Sequence, residues 1–270
     1  MLYVDFHVHL RSSVSPSEFI SAARVNVRQL GGRHATGVLC FADSPGDLGF
    51  QQLLKCVRAD GLNRTCDLHV AEEDDQGNAI SLVLTFDSGS PLICVSGYQL
   101  VTKENIEVLA LGVARRPAEK LPLSDLIPCI RGLRGLPVIP WSLGKWWGQR
   151  GQRVRAEVEK AAPGELYLGD SAHRVVEYPF TDMFDTAETK GLVILPGSDP
   201  FPIAGEVRRV GSFGGRLDIV LDHEQPFAQL SNLLISAENH EIPSFGYRLR
   251  FSSAIALQTR LVLQRYRTHD

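Results

Sequence analysis

The sequence predicts an α/β protein in which parallel strands form a barrel. Apolar runs of about four to six residues recur along the chain, and most of them end in a cluster of polar residues. Such runs, rich in β-branched residues and bounded by Gly and Pro, are typical of strands that are buried on both faces. Helix-compatible stretches separate several runs, and this alternation with polar strand ends is the pattern of an α/β barrel.

The strands and helices follow one another in chain order. The predicted strands cover residues 2–6, 37–41, 92–95, 106–111, 137–139, 166–168 and 192–195. The predicted helices cover residues 17–30, 50–58, 123–131, 153–161 and 180–190. The first helix follows a Ser-Pro-Ser-Glu segment, which resembles a helix N-terminus.

Residues 66–102 depart from the alternation, and we expect a β-hairpin insertion there. Turn-forming residues occur twice in this segment, at residues 75–78 and 87–90, as Asp-Gln-Gly-Asn and Asp-Ser-Gly-Ser. A final helix is predicted over residues 252–266, because Ile255, Leu257, Leu261 and Leu263 have helical spacing. No repeat or linker is evident, so one domain is expected over residues 1–270.

The composition limits the classes of function. The 270 residues are 44% hydrophobic, enough for a sizeable core, and the net charge of −3 does not favour nucleic acid or a membrane surface as the main partner. The five cysteines show no C-x-x-C spacing, which argues against a disulfide framework or a structural zinc. With no signal peptide and no membrane-spanning apolar run in the sequence, we expect a cytoplasmic protein.

Two histidines at the end of the first strand indicate a metal site. His7 and His9 are two residues apart, and residues at this spacing on a strand point to the same face. Neutral imidazole is the commonest protein ligand for a metal. The alternative is a surface strand that happens to carry two histidines.

Four further polar residues are candidates because they belong to strand ends or to an apolar run. Asp199 ends the last predicted strand in a Gly-Ser-Asp-Pro segment, and Asp43 ends the second. Glu107 lies inside an apolar run, where a carboxylate is costly unless it is paired or binds a metal. Gln99 closes the run that precedes it. For the aspartates the alternative is an ordinary turn residue, and for Glu107 an edge-strand or helix-start glutamate.

Two later segments add candidate groups. Asp170 and His173 follow the strand at residues 166–168, and the alternative for His173 is an exposed loop histidine. The segment 140–151 carries all three tryptophans together with Lys145 and Arg150. This basic, aromatic loop could bind a phosphate or carboxylate, pack over the barrel mouth or form an oligomer contact.

The Asp-x-His-x-His segment that ends at His9 and the later Gly-Ser-Asp that ends at Asp199 resemble the PHP (polymerase and histidinol phosphatase) superfamily over roughly residues 1–200. The resemblance implies a distorted seven-stranded (β/α) barrel that hydrolyses phosphoesters with a cluster of two or three metal ions held by His, Asp and Glu. His7 and His9 fall on the first ligand pair of that family.

Several ligand positions of the family carry other residues here. The family's Thr-Asp-His appears as Ala-Asp43-Ser, its Gly-x-Glu ends at Gln99, and Phe201 replaces the last histidine of Gly-Ser-Asp-x-His. A further family histidine falls near Glu107, and the family's His-Pro falls near Pro140. We therefore expect a reduced centre of one or two divalent ions (Zn, Mn or Fe), with the ligands His7, His9, Glu107 and Asp199.

The resulting functional hypothesis is a metal-dependent hydrolase, a phosphoesterase for a small anionic substrate. Asp43 and Asp170 are its expected catalytic residues, and Gln99, Lys145, Arg150 and His173 are expected to bind the substrate. Two alternatives stay open, a non-catalytic ligand-binding or scaffold protein and an amidohydrolase-type enzyme. Nucleic acid and membranes are not expected as partners, and a homo-oligomer stays open.

Overall fold

A computed structural model of the protein describes residues 1–58, 66–89, 91–177, 182–236 and 241–267. The strands are Leu2–Val8 (β1), Thr36–Phe41 (β2), Asp67–Glu73 (β3), Ala79–Thr85 (β4), Leu92–Val95 (β5), Gly97–Val101 (β6), Glu107–Leu111 (β7), Leu136–Pro140 (β8), Tyr167–Ser171 (β9), Ile194–Gly197 (β10), Phe213–Leu217 (β11) and Ser244–Gly246 (β12). The helices are Pro16–Gly31 (α1), Gly49–Arg58 (α2), Leu123–Gly132 (α3), Gly148–Lys160 (α4), Asp182–Thr189 (α5), Pro226–Ile235 (α6) and Phe251–Arg267 (α7).

The strands form one mixed sheet in the order β3-β4-β5-β2-β1-β11-β10-β9-β8-β7-β6, and β12 pairs with β11. β1, β2 and β5 are parallel to one another, as are β8, β9 and β10. β11 is antiparallel to both β1 and β10, so those two strands point the same way. The carboxyl ends of these six strands therefore lie along the same edge of the sheet.

An isolated β-bridge between Asp43 and Tyr98 adds a contact outside the strand order. The Asp43 N–H donates to the Gly97 carbonyl, and the Gln99 N–H donates to the Asp43 carbonyl, both at 2.9 Å. This bridge links β6 to the segment that follows β2. Within the described residues the strand order is otherwise an open path from β3 to β6, so the pairing does not establish the predicted closed barrel.

Within the predicted insertion at 66–102, β3, β4 and β5 form a β-meander in the main sheet, whereas β6 lies at the other end of the sheet and pairs with β7. β3 pairs with β4 and β4 with β5, both antiparallel, while β5 is parallel to β2. The first predicted turn lies between β3 and β4. The second includes residue 90, which is outside the described residues. The β3–β4 hairpin therefore extends one edge of the sheet.

The core divides between the two faces of the sheet. On one face α1 and α2 cover residues that include Tyr3 and Val8 of β1. On the other face Leu2, Val4 and Phe6 pack in a cluster with α6. Phe6 and Val8 would share a face on a regular strand, but the pairing of β1 with β2 shifts register between Asp5 and Val8. Such a bulge re-aims the side chains at the end of a strand, where His7 and His9 lie.

The N-terminus of α6 is held by a carboxylate from β3. Glu72 accepts the N–H groups of Phe227 at 2.7 Å and Ala228 at 2.9 Å, and it also accepts the Ser81 hydroxyl at 2.7 Å. Backbone N–H groups in the first turn of a helix have no partner within the helix, and a carboxylate satisfies them. This contact fixes α6 against the sheet.

Candidate metal centre

Three side chains converge at the carboxyl ends of β1 and β10. His7 Nε2 and His9 Nε2 lie 3.0 Å apart, and each lies 3.7 Å from Asp199 Oδ1. Both histidines are buried, and Asp199 is partly buried. Among the described residues this is the one group of three or more His, Cys, Asp or Glu side chains with ligand atoms this close.

The close approach of β1 and β10 explains why ligands from these strands meet. β11 lies between them in the sheet order, but the Asp199 N–H donates directly to the His7 carbonyl at 2.8 Å. A Cβ atom on Gly197 would lie 2.5 Å from both the backbone N and the Cβ of His7. Only glycine therefore allows the end of β10 to pack against His7 at this distance.

Asp199 is held in an unusual backbone conformation. Its φ of 48° lies in the left-handed region, which residues other than glycine adopt rarely but which aspartate tolerates. Its carbonyl accepts a hydrogen bond of 2.7 Å from His173 Nε2, and its Oδ2 accepts one of 3.3 Å from the Ser171 hydroxyl. Together with the bond to His7, these contacts fix the direction of the carboxylate.

Asp5 anchors the backbone behind the group. Its Oδ1 accepts the N–H groups of Ser198 at 2.8 Å and His7 at 3.2 Å, and its Oδ2 accepts the Gly211 N–H at 2.8 Å. Burial raises the pKa of the Asp5 carboxyl to about 7, although the hydrogen bonds from Ser198, Gly211 and His7 act to lower it. One side chain thus joins β1 to the end of β10 and to the turn before β11.

The electrostatics favour neutral imidazoles. Burial, followed by the charges of His7 and Arg11, lowers the pKa of His9 well below its ordinary value, although a hydrogen bond with the Ala42 backbone acts to raise it. Burial also lowers the pKa of His173, against the opposing effect of Asp199. His9 is therefore neutral near pH 7, which is the form that binds a metal.

The donor set fits a divalent cation. A transition metal lies about 2.0–2.2 Å from His nitrogen and carboxylate oxygen, so three ligand atoms around one ion must lie within about 4.4 Å of each other. The three separations of 3.0, 3.7 and 3.7 Å meet this requirement. Two histidines and one carboxylate are also a ligand set of catalytic metal sites that keep a position open for water or substrate.

The structure does not bring Glu107, expected as a fourth ligand, into this group. Glu107 begins β7 and forms an ion pair with Lys145, one of the expected substrate-binding residues. Arg150, the other expected cation, donates to the Gly144 carbonyl at 3.2 Å within its own loop. The carboxylate in the apolar run is therefore compensated by a lysine rather than by a metal.

Asp43 and Gln99 meet, but through their backbones. The Asp43 carboxylate accepts the N–H groups of Gly49 at 2.9 Å and Phe50 at 3.1 Å, which places it at the N-terminus of α2. Burial raises the pKa of Asp43 to about 7. These contacts anchor the start of α2, and the expected catalytic role of Asp43 stays a prediction.

Asp170 is likewise engaged by neighbouring side chains. Arg174 Nε donates to its Oδ1 at 2.7 Å, and Arg248 Nε donates to its Oδ2 at 2.9 Å. Two guanidinium groups occupy the oxygens that a general base would need. The His173 ring stacks on Phe201 with centroids 3.8 Å apart, and its Nε2 contacts the Asp199 carbonyl. His173 therefore packs against one of the three converging side chains.

The sequence reasoning missed four residues around the group. Asp5 could have been found by the argument used for Glu107, because it is a carboxylate within an apolar strand. Ser171 is the last residue of β9, and the sequence analysis did not single it out. Arg11 and Arg209, whose charges act on His9 and His173, carry no motif that marks them in the sequence.

Comparison with known proteins supports the fold. No family model and no curated protein matches the chain. The crystal structure of PsfC from Pseudomonas syringae PB-5123 is similar with a TM-score of 0.56 and 15% identity, and the match covers 97% of both chains. The crystal structure of the novel lesion-specific endonuclease PfuEndoQ from Pyrococcus furiosus gives a TM-score of 0.49 at 11% identity, covering 94% of this chain and 65% of that one.

In the parts of the chain that the structure describes, no helix is both long and apolar enough to cross a membrane.

The low sequence identity limits what the structural match shows. At 15% identity, the match to PsfC shows a shared fold and carries no activity across. The chain therefore has the overall α/β fold of PsfC along nearly its whole length, with a His-His-Asp group at one edge of its sheet.

Proposed function

We propose that this protein is a metal-dependent hydrolase that cleaves phosphoesters of a small anionic substrate. The observation that carries the proposal is the convergence of His7, His9 and Asp199 at distances that suit one divalent ion. The proposal includes a single-domain, PHP-like barrel as the scaffold, with the metal at the edge formed by the strand ends. The fold shared with PsfC is compatible with that scaffold.

The three ligands would hold a Zn, Mn or Fe ion in their neutral imidazole and carboxylate forms. When bound, such an ion lowers the pKa of a coordinated water from about 15.7 toward 7 and polarises a substrate oxygen. The chain itself keeps His9 neutral by burial and directs Asp199 through Ser171 and His173. These contacts preorganise the ligands before the ion arrives.

Two arginines support an anionic substrate. The charge of Arg11 acts to lower the pKa of His9, and that of Arg209 acts to lower the pKa of His173. Arg11 Nη1 pairs with Asp47 at 3.2 Å, and Arg209 Nε lies 3.8 Å from Glu206 Oε2. The Nε–H groups of both arginines are buried and form no hydrogen bond among the described residues. A phosphate oxygen is the acceptor that guanidinium groups bind most readily. These two residues take over the role expected of Lys145 and Arg150.

The test is hydrolysis by protein purified without chelator and loaded with Zn, Mn or Fe(II). We expect metal-dependent release of p-nitrophenol from p-nitrophenyl phosphate or bis(p-nitrophenyl) phosphate. Asp199→Asn should abolish it, whereas Asp75→Asn, an exposed turn aspartate, should leave it unchanged. Metal binding without hydrolysis of either ester would favour a non-catalytic binding protein and contradict the proposal. Hydrolysis of a cyclic imide instead would favour the amidohydrolase alternative.

A further inference from the structure

The three tryptophans of the chain line one cavity. Trp141 follows β8, and Trp146 and Trp147 lie just before α4. The cavity has a volume of about 600 Å³, within the usual range for small-molecule sites. Its lining consists of Trp141, Trp146, Trp147, Gly148, Gly151, Gln152, Arg155, Asp182 and Met183.

Glycines allow the loop to present these rings. Gly148 has a φ of 59°, a conformation that favours glycine. A Cβ atom on Gly151 would lie 1.9 Å from the Trp146 carbonyl oxygen, so the first turn of α4 can pack on Trp146 only without a side chain there. Gly148 and Gly151 therefore allow the backbone of this segment to place the tryptophans in the cavity wall.

The wall combines aromatic surfaces with a polar rim. Trp141 is 6% exposed and forms part of the floor, whereas Trp147 is 56% exposed. Arg155 forms an ion pair with Asp182 at the rim, and the exposed side chain of Gln152 adds a donor and an acceptor. Such a cavity suits a flat ring with polar edges, because the ring faces can stack on indole while the edges form hydrogen bonds.

Trp141 and Asp199 follow strands that end at the same edge of the sheet. The Trp141 N–H donates to the Gly169 carbonyl of β9 at 2.7 Å, and Ser171 at the end of β9 contacts Asp199. Trp141 and Asp199 thus belong to strand ends two positions apart in the sheet, a separation of about 10 Å at the usual strand spacing.

Arg174 lies between the Phe184 ring and the Asp170 carboxylate. Its guanidinium carbon lies 4.9 Å from the centroid of the Phe184 ring, and that ring lies 5.2 Å from Trp146. The cation is thus positioned between the aromatic wall and the carboxylate of Asp170.

We propose that this tryptophan cavity binds the planar heteroaromatic ring of the substrate, a ring of the nucleobase kind. The inference deepens the proposed function, on which it rests for the anionic group of the substrate. Binding of the ring itself needs neither a metal nor hydrolysis, so it can fail or succeed independently.

The test uses tryptophan fluorescence, which reports this cavity alone because the chain has three tryptophans and all of them line it. Chelator-treated protein is titrated with adenosine, with thymidine and with ribose 5-phosphate as the ring-free control. We expect both nucleosides to change the fluorescence saturably and ribose 5-phosphate to leave it unchanged. The same result is expected for His9→Ala, because the ring does not contact the metal ligands.

Two variants in the same loop separate stacking from general damage. Trp147→Ala should weaken nucleoside binding by at least about fivefold, measured by calorimetry, because it removes a stacking surface. Leu143→Ala is the matched control, since Leu143 is also 56% exposed and does not line the cavity. No saturable response to either nucleoside, an equal response to ribose 5-phosphate, or equal weakening in both variants would overturn the inference. Nucleoside binding without any esterase activity would contradict the proposed function and leave the ring site supported.

Discussion

Asp5 shows how a residue outside the ligand group can determine its geometry. Its two carboxylate oxygens accept three backbone N–H groups, from His7, Ser198 and Gly211. The first of these donors is the backbone N–H of His7 itself, and the second, from Ser198, immediately precedes Asp199. A carboxylate that is buried in this way fixes the position of both ligand-bearing segments.

We predict that Asp5→Asn lowers the free energy of unfolding by about 1–3 kcal/mol, because the amide nitrogen cannot accept the N–H bonds that one carboxylate oxygen now accepts. Denaturant unfolding of the metal-free protein measures this change. Asp67→Asn, at the exposed start of β3, is the control and should have little effect. Equal stability of Asp5→Asn and the wild type would show that the anchor is unnecessary.

At the residue scale, the sequence analysis selected the three side chains that meet, but not the residues that support them. His7, His9 and Asp199 were predicted from strand-end position and residue chemistry, which are local features. Glu107 was misassigned as a ligand because its partner Lys145 is 38 residues away, and no local pattern predicts that pairing. Asp170 and Asp43 were assigned to catalysis from their strand-end positions. Most groups that contact them are near in the chain, Arg174 for Asp170 and the N–H groups of Gly49 and Phe50 for Asp43.

The contact between β1 and β10 is the element-level feature that brings the ligands together. It depends on Gly197, where a Cβ would lie 2.5 Å from His7 backbone and side-chain atoms. The neighbouring atoms are backbone and Cβ atoms, which cannot rotate away. The separation of the two strand ends is therefore sensitive to a single methyl group.

We predict that Gly197→Ala weakens metal affinity by at least about tenfold, because it moves Asp199 away from the two histidines. Metal affinity is measured by competition with a chromophoric chelator. Gly132→Ala, at a helical position where a Cβ would meet nothing within 4 Å, is the matched control and should retain wild-type affinity. Unchanged affinity in Gly197→Ala would contradict this view of the strand contact.

Helix α6 depends on a second element-level contact, the Glu72 carboxylate at its N-terminus. Glu72→Ala should lower the free energy of unfolding by about 1–2 kcal/mol, because two helix N–H groups and the Ser81 hydroxyl lose their acceptor. Chemical denaturation measures the change, with the exposed neighbour Glu73→Ala as the control. A loss that is equal in the two variants would indicate a general effect of this strand rather than the helix contact.

Most elements could be predicted from the sequence, and those that could not have a physical reason. The prediction for β5 matched its bounds, and α7 extends one residue beyond its predicted range at each end. β11 was missed because its Phe-Gly-Gly-Arg-Leu sequence lacks the apolar pattern of a strand. Gly214 is required there because a Cβ would lie 2.1 Å from the Val4 carbonyl oxygen, a constraint that only the folded neighbour imposes.

For the whole molecule, Asp43 links three parts of the fold. Its backbone bridges the segment after β2 to β6, and its side chain holds the start of α2. Burial raises its pKa from 3.8 to about 7, so the folded protein binds this proton more tightly than the unfolded chain does. The contribution of Asp43 to stability therefore falls as pH rises from about 4 to about 7.

The wild type alone does not isolate this effect, because the lowered pKa values of His9 and His173 act in the opposite direction. We predict instead that the free energy of unfolding of the wild type minus that of Asp43→Asn decreases as pH rises through this window. Denaturant unfolding at several pH values, in chelator, measures the difference. A difference that stays constant or rises with pH would contradict the raised pKa.

The central claim for the whole molecule is that one edge of the sheet binds a divalent metal through two histidines and an aspartate. The most direct measurement is the metal content of reconstituted protein, by elemental analysis after removal of free ions. The structure predicts about one ion per chain in the wild type, as expected for a single three-ligand group, and a large loss in His9→Ala. His223→Ala, at an exposed histidine, should keep the wild-type content. No retained metal in the wild type, or equal retention in His9→Ala and the wild type, would contradict the metal site.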